Sequence, residues 1–186
     1  YIKFLKMPIK KKLKIAIFFN NVRGVYVSKY LKSNGYSVVN IITRKNLNKQ
    51  ILKQINYYKI INNLKSNQLI NTLSKKKFDI FIAAGFPHIF KPNFLKLPKL
   101  GILNLHAGKL PKYRGGSPLN WQIINMEKKI GISVILLNEK IDQGDIVAEA
   151  SFPNTDSLDI FKAHEIANRL FVKLNFKSIK KLEKKS

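Results

Sequence analysis

The 186-residue sequence predicts one α/β domain, a mainly parallel sheet with helices on both faces. Three observations predict it. Apolar, β-branched runs of strand length alternate with stretches of helical periodicity. These strands and helices close on turn signals such as Asn20-Asn21, Asn34-Gly35 and Gly85. No repeat or linker-like stretch divides the chain, so 1–186 reads as a single domain. A chain of this length buries roughly 70% of the surface its unfolded form exposes.

The elements follow in order. Residues 1–12 read as a frayed basic leader. The chain opens on Tyr1 rather than Met, with Met7 as an alternative start, as in a fragment of a longer protein. Residues 13–19 (LKIAIFF) form the first strand, and Asn20, Asn21 and Gly24 a loop. A short helix over 25–32 stops at Asn34-Gly35, and 36–43 is a β-branched strand. Leu47, Ile51 and Ile55, four apart, predict a helix over 46–55. Residues 57–61 are a short strand. Ser66 caps a helix whose inner face is Leu69, Ile70 and Leu73. Residues 78–84 form a strand ending at Gly85.

The run GILNLH, 101–106, is the next strand. Ser117-Pro118 starts a helix, with Ser117 as N-cap and Leu119, Ile123 and Met126 as its buried stripe. Strands 130–137 and 146–152 flank the loop 138–145 and pair antiparallel, because their connection is short. Asp156 caps a final helix from Ser157, with Phe161, Ala167, Leu170, Phe171 and Leu174 apolar. Residues 177–186 read as a frayed basic tail.

Composition bounds the function. The formal charge is +25, which invites a polyanion-binding reading. Of the 35 basic residues only four are Arg, the type suited to bidentate phosphate contacts, and the Lys are spread along the chain. A solvated basic surface is the simpler reading, and an anionic substrate still gains from the field. There is no cysteine, so disulfides and thiolate metal sites are excluded. No apolar run spans a membrane and no secretory signal is visible, so the expected compartment is the cytoplasm, with no membrane partner.

Side chains alternate along a strand, so Leu103 and Leu105 share one face, Asn104 and His106 the other. Two polar groups at the end of a buried strand either bond to neighbouring backbone or face a ligand. Asp142, in IDQGD, is either a turn-former or a chemical group. Asp142 and Asp145 lack the surrounding ligands of a metal pair, and no metal is expected. Neither a nucleophile elbow nor a phosphate-binding glycine loop is present.

The set Asn104-Leu105-His106, Leu110-Pro111-Lys112-Tyr113-Arg114-Gly115 and Ile141-Asp142-Gln143-Gly144-Asp145 resembles the formyltransferase family that uses 10-formyltetrahydrofolate. The likeness covers roughly 13–174. It implies a Rossmann-like formyltransferase fold, with Asn104, His106 and Asp142 as the catalytic trio. Asn104 and a charged His106 would donate to the oxyanion that develops on the formyl oxygen, each such donor being worth about 3 kcal/mol. Asp142 would hold His106 charged and take the amine's proton, directly or through water. By position the folate site would be Phe86, Pro87, His88, Ile89 and Phe90, with Asn138, Glu139, Lys140 and Ile141. Phe86 and Phe90 read equally well as core.

Three acceptors follow from the likeness. The run HAGKLP with Leu119-Asn120-Trp121 looks most like the branch that formylates amino sugars on nucleotide carriers. Arg114, Gly115 and Arg23 are then its candidate acceptor contacts, although Arg114 reads equally as a surface arginine pinning the loop. Trp121 reads either as a stacking platform or as core. Asp-x-Gly-Asp resembles methionyl-tRNA formyltransferases, but the insertion expected before Asp79 is missing. Glycinamide ribonucleotide formyltransferases fit in length and poorly in motif. A degenerate folate- or nucleotide-binding module is the non-enzyme reading, and retention of the trio speaks against it.

Overall fold

The computed structural model describes residues 12–43 and 49–184. Strands β1 (Lys14–Phe19), β2 (Ser37–Thr43), β3 (Tyr58–Ile61), β4 (Ile80–Ala84), β5 (Ile102–His106), β6 (Lys129–Leu136) and β7 (Asp145–Pro153) form one sheet. Its order is β3-β2-β1-β4-β5-β6-β7. The first five strands pair in parallel and β6 pairs antiparallel with both β5 and β7, which is the mainly parallel sheet expected. Strand order reverses at β1, and the carboxyl ends beside such a reversal are where ligands gather in sheets of this kind.

Helices cover both faces. α1 (Val22–Ser33), α2 (Lys49–Leu52) and α6 (Ile160–Glu183) pack on one face, where Val25, Leu31, Ile51, Ala167 and Phe171 meet Ile15, Ile17 and Leu105. α3 (Asn67–Lys75) and α4 (Pro92–Leu95) cover the other, where Leu69, Leu73 and Phe94 meet Phe18, Phe81 and Ile102. Ser66 caps α3 as expected, accepting from the Leu69 amide. α5 (Pro118–Ile124) leads into β6.

Several expectations are corrected. α1 takes in Gly24, because Asn21, not the later loop, caps it by accepting from the Arg23 amide. The helix expected over 46–55 ends at Leu52, and its first turn lies outside the described residues. Ser117 precedes α5 but is no side-chain cap. Its left-handed backbone (φ 51°) is not the extended one from which a hydroxyl reaches back to the first turn. Met126 is exposed, because α5 ends before it. Gln122 takes the buried place, its amide bonded to Gly131 and to the Ala107 carbonyl.

Asp156 lies in a turn closed by Leu158 N–H on the Thr155 carbonyl. Asp159 caps α6 instead, accepting from the Lys162 amide. Phe161, expected to be apolar lining, is 82% exposed. The tail is no frayed end as far as Glu183. Ser178 and Ile179 are buried, and Tyr36 donates to Glu183 at 2.9 Å. Lys181 reaches the Val147 carbonyl of edge strand β7, where a bulge leaves Val147 out of register. The leader expected over 1–12 lies, apart from Lys12, outside the described residues, as does Met7. Among the described residues no helix is long and apolar enough to cross a membrane.

Candidate active site

Strand alternation delivers the first two groups. Leu103 and Leu105 face the α6 side of the sheet, while Ile102 on the other face packs among the α3 and α4 residues. Asn104 and His106 continue that second face beyond the cover of the helices. His106 is 6% exposed.

Asp142 comes from the loop 137–144, which folds back over this face. Gly144 is needed for the return, since a Cβ there would lie 1.8 Å from the Leu136 carbonyl oxygen. Asp142 itself is left-handed (φ 49°), a conformation that short polar residues tolerate. Its carboxylate is well held. Oδ1 accepts from the Asn104 amide at 3.3 Å, and Oδ2 accepts from the Gly115 N–H at 2.9 Å. Oδ2 also faces His106 Nδ1 at 3.5 Å. The opposite ring nitrogen, Nε2, meets the Tyr113 carbonyl oxygen at 2.5 Å. A carbonyl only accepts, so that bond requires a proton on Nε2. For Nδ1 to donate as well, the ring must carry both protons, and Asp142 is then the facing counter-charge.

Asn104 and Asp142 help to line a cavity of roughly 140 Å³. The loop after β4 supplies Phe86, His88, Ile89 and Phe90, and the loop after β6 supplies Asn138, Glu139, Lys140 and Ile141. Eight of the nine residues expected there are therefore brought together. Pro87 is the exception, set in the bend between Phe86 and His88 and absent from the wall. His88 ties this loop to β2 through Thr43, at 2.9 Å. Phe86 and Phe90 are both wall and core, each packed edge-on against Phe18. Ala83 and Leu137, which sequence reasoning missed, complete the lining.

The expected acceptor contacts divide. Arg114 is exposed and its Nε donates to the Asp142 backbone carbonyl at 3.2 Å, so it pins the two loops. Gly115 gives its N–H to Asp142, as described. Arg23 is a correction. It is 6% exposed, with Nε on Asn168, Nη1 on the Leu105 carbonyl and its guanidinium 4.5 Å over the Phe171 ring. Burial pulls its pKa down to about 10. It serves β5 from beneath, at the residue between Asn104 and His106, because α6 encloses it.

Residues 11–169 match the family described as formyl transferase. The chain belongs to that family. The formyl transferase chain is 37% identical over a 153-residue alignment to the bifunctional polymyxin resistance protein ArnA of Wigglesworthia glossinidia brevipalpis, with 75% of this chain covered. That match spans 23% of the relative. It is 35% identical over 131 residues to the methionyl-tRNA formyltransferase of Clostridium beijerinckii, covering 70% of this chain and 42% of that one. The formyl transferase chain thus spans less than half the length of these curated relatives. Among solved structures, phosphoribosylglycinamide formyltransferase from Brucella melitensis matches with a TM-score of 0.78 at 18% identity, over 93% of this chain and 96% of that one. A sugar N-formyltransferase from Shewanella sp. matches with a TM-score of 0.75 at 20% identity, over 90% and 69%. These likenesses confirm the fold. The family is one of folate-dependent N-formyltransferases.

Proposed function

We propose that this chain transfers a formyl group from 10-formyltetrahydrofolate to the primary amine of an amino sugar carried on a nucleotide, with Asn104, His106 and Asp142 as its catalytic residues. One observation carries the chemistry. The Asp142 carboxylate, held by Asn104 and Gly115, lines a cavity with aromatic walls and faces His106, which stands behind that lining. The residues fit the donor. Phe86, Phe90, Leu137 and Ile141 offer apolar cover, and the exposed segment Asn138–Lys140 offers polar groups at the rim, the usual make-up of a ligand pocket. When bound there, the folate supplies an activated formyl group.

The side chains then divide the work. His106 Nδ1, which at 3.5 Å from Asp142 makes no hydrogen bond to it, donates when the ring carries both protons, and Asn104 keeps a second amide hydrogen beyond the one given to Asp142. Both donate to the formyl oxygen as it gains charge, in a site where preorganised donors act strongly. The Asp142 carboxylate accepts the amine's proton, directly or through a water, and returns a proton by the same route to the folate nitrogen as the bond from that nitrogen to the formyl carbon breaks and tetrahydrofolate leaves. Arg114 and Gly115 edge the acceptor side, and Trp121, half-exposed on α5, is available to stack on a base.

The sugar acceptor rests on the run HAGKLP and on Leu119-Asn120-Trp121. The same reading puts the reaction in the cytoplasm, with a small-molecule partner and no metal. A second reading, methionyl-tRNA as acceptor, is favoured by the 35% identity to a protein of that name and by the +25 charge. The test is tetrahydrofolate release from 10-formyltetrahydrofolate with each acceptor in turn. Release is expected with a dideoxyamino sugar nucleotide. Release with methionyl-tRNA alone selects the second reading. No release with either, or with glycinamide ribonucleotide, removes the catalytic reading.

A further inference from the structure

His106 is gripped on its Nε2 side by Tyr113, a residue that the proposed chemistry does not use, in the loop that also carries Arg114 and Gly115. β5 ends at His106, and Ala107-Gly108 turn the chain so that it returns beside the imidazole at Tyr113. Gly108 makes the approach possible. A Cβ there would sit 2.5 Å from the Tyr113 carbonyl oxygen and 2.7 Å from His106 Nε2. A methyl group would therefore stand where the hydrogen bond now runs, against backbone that cannot swing aside.

A carbonyl is only as well aimed as the residue that bears it. Tyr113 is 6% exposed, and its hydroxyl donates to Glu127 Oε1 at 2.5 Å while accepting from Asn125 Nδ2 at 3.2 Å. Lys112 Nζ pairs with the same Glu127 oxygen. Glu127 is fixed in turn by its own N–H on the Gln122 carbonyl, and Gln122 holds the Ala107 carbonyl at the root of the loop. α5, through Gln122, and the segment that follows it, through Asn125 and Glu127, therefore clamp the loop near both ends.

We propose that Tyr113 is a positioning residue for His106, and that Glu127 acts through Tyr113. The proposal rests on the catalytic role of His106 given above. Tyr113 holds the ring with Nε2–H engaged, which leaves Nδ1 as the nitrogen directed at Asp142. Loss of the hydroxyl frees the peptide to rotate and the imidazole to reorient or to change which nitrogen carries the proton. A shift of this kind costs rate rather than affinity.

Tyr113→Phe keeps the ring and the carbonyl and removes only the two hydroxyl bonds. It should lower kcat about tenfold with the KM for 10-formyltetrahydrofolate within about twofold. Nitrogen-15 spectra of labelled histidine should show His106 Nε2 protonated and slow to exchange in the wild type, and exchanging at least about tenfold faster in Tyr113→Phe. Glu127→Gln keeps an acceptor for the hydroxyl and should stay within about twofold of wild type. Glu127→Leu should match Tyr113→Phe. An unchanged kcat, or a lower melting temperature with an unchanged His106 spectrum, overturns the proposal. The assignment of the His106 signals comes from His106→Asn. Should that variant transfer formyl groups at the full rate, the catalytic reading fails instead, and the spectra show that separately.

Discussion

The two sides of β5 are built on different plans. On the β4 side the cavity walls belong to the core: Phe86 and Phe90 pack against Phe18, and Ala83 lies in the sheet itself. On the Tyr113 side the chain presents an exposed Arg114, two exposed glycines with open space where side chains would be, and a half-exposed Trp121. A wall made of core residues cannot be altered without altering the fold. A rim made of loop residues can.

Three substitutions probe that contrast. The largest effect belongs to the group that touches both sides. Asp142→Asn retains a residue type suited to the left-handed backbone and removes the charge facing His106. It should lower kcat about 10³-fold with little loss of melting temperature. A fall under tenfold would place the reacting centre elsewhere. Phe90→Ala comes next. If the donor wall is core, it should destabilise the fold by about 3–5 kcal/mol in urea unfolding and raise the KM for the folate together with it. A raised KM at unchanged stability would show that wall and core are separable. Arg114→Ala should do the least. It should raise the acceptor KM about tenfold while the folate KM and the melting temperature stay put. Equal movement of both KM values would erase the distinction between the sides.

What the sequence reveals follows the range of the interactions involved. The face shared by Asn104 and His106 is legible because alternation is local. The span of β6 and its antiparallel partner is legible because a short loop joins them. Asp142 is visible as part of a motif, while its left-handed backbone and its return to β5 depend on contacts 38 residues away. Arg23 misleads for the same reason. Nothing near it in sequence announces that Asn168, 145 residues on, will accept its Nε, or that Phe171 will cover it. The basic tail is misread because its lysines conceal the spacing of Leu174, Ser178 and Ile179 along one buried stripe. Tyr113 is invisible as a partner of His106, since its contribution is a backbone carbonyl. Gly108, two residues after His106, is the one sequence signal that points to it.

The lysine at the far end of α6 also guards the outer strand. β7 closes the sheet, and an uncovered strand edge is a template on which another chain can pair. Here the bulge breaks the regular spacing at Val147, and the Lys181 ammonium occupies that residue's carbonyl. An incoming strand meets an interrupted ladder with a positive charge set into it. A bulge and an inserted charge of this kind disfavour edge-to-edge pairing of strands.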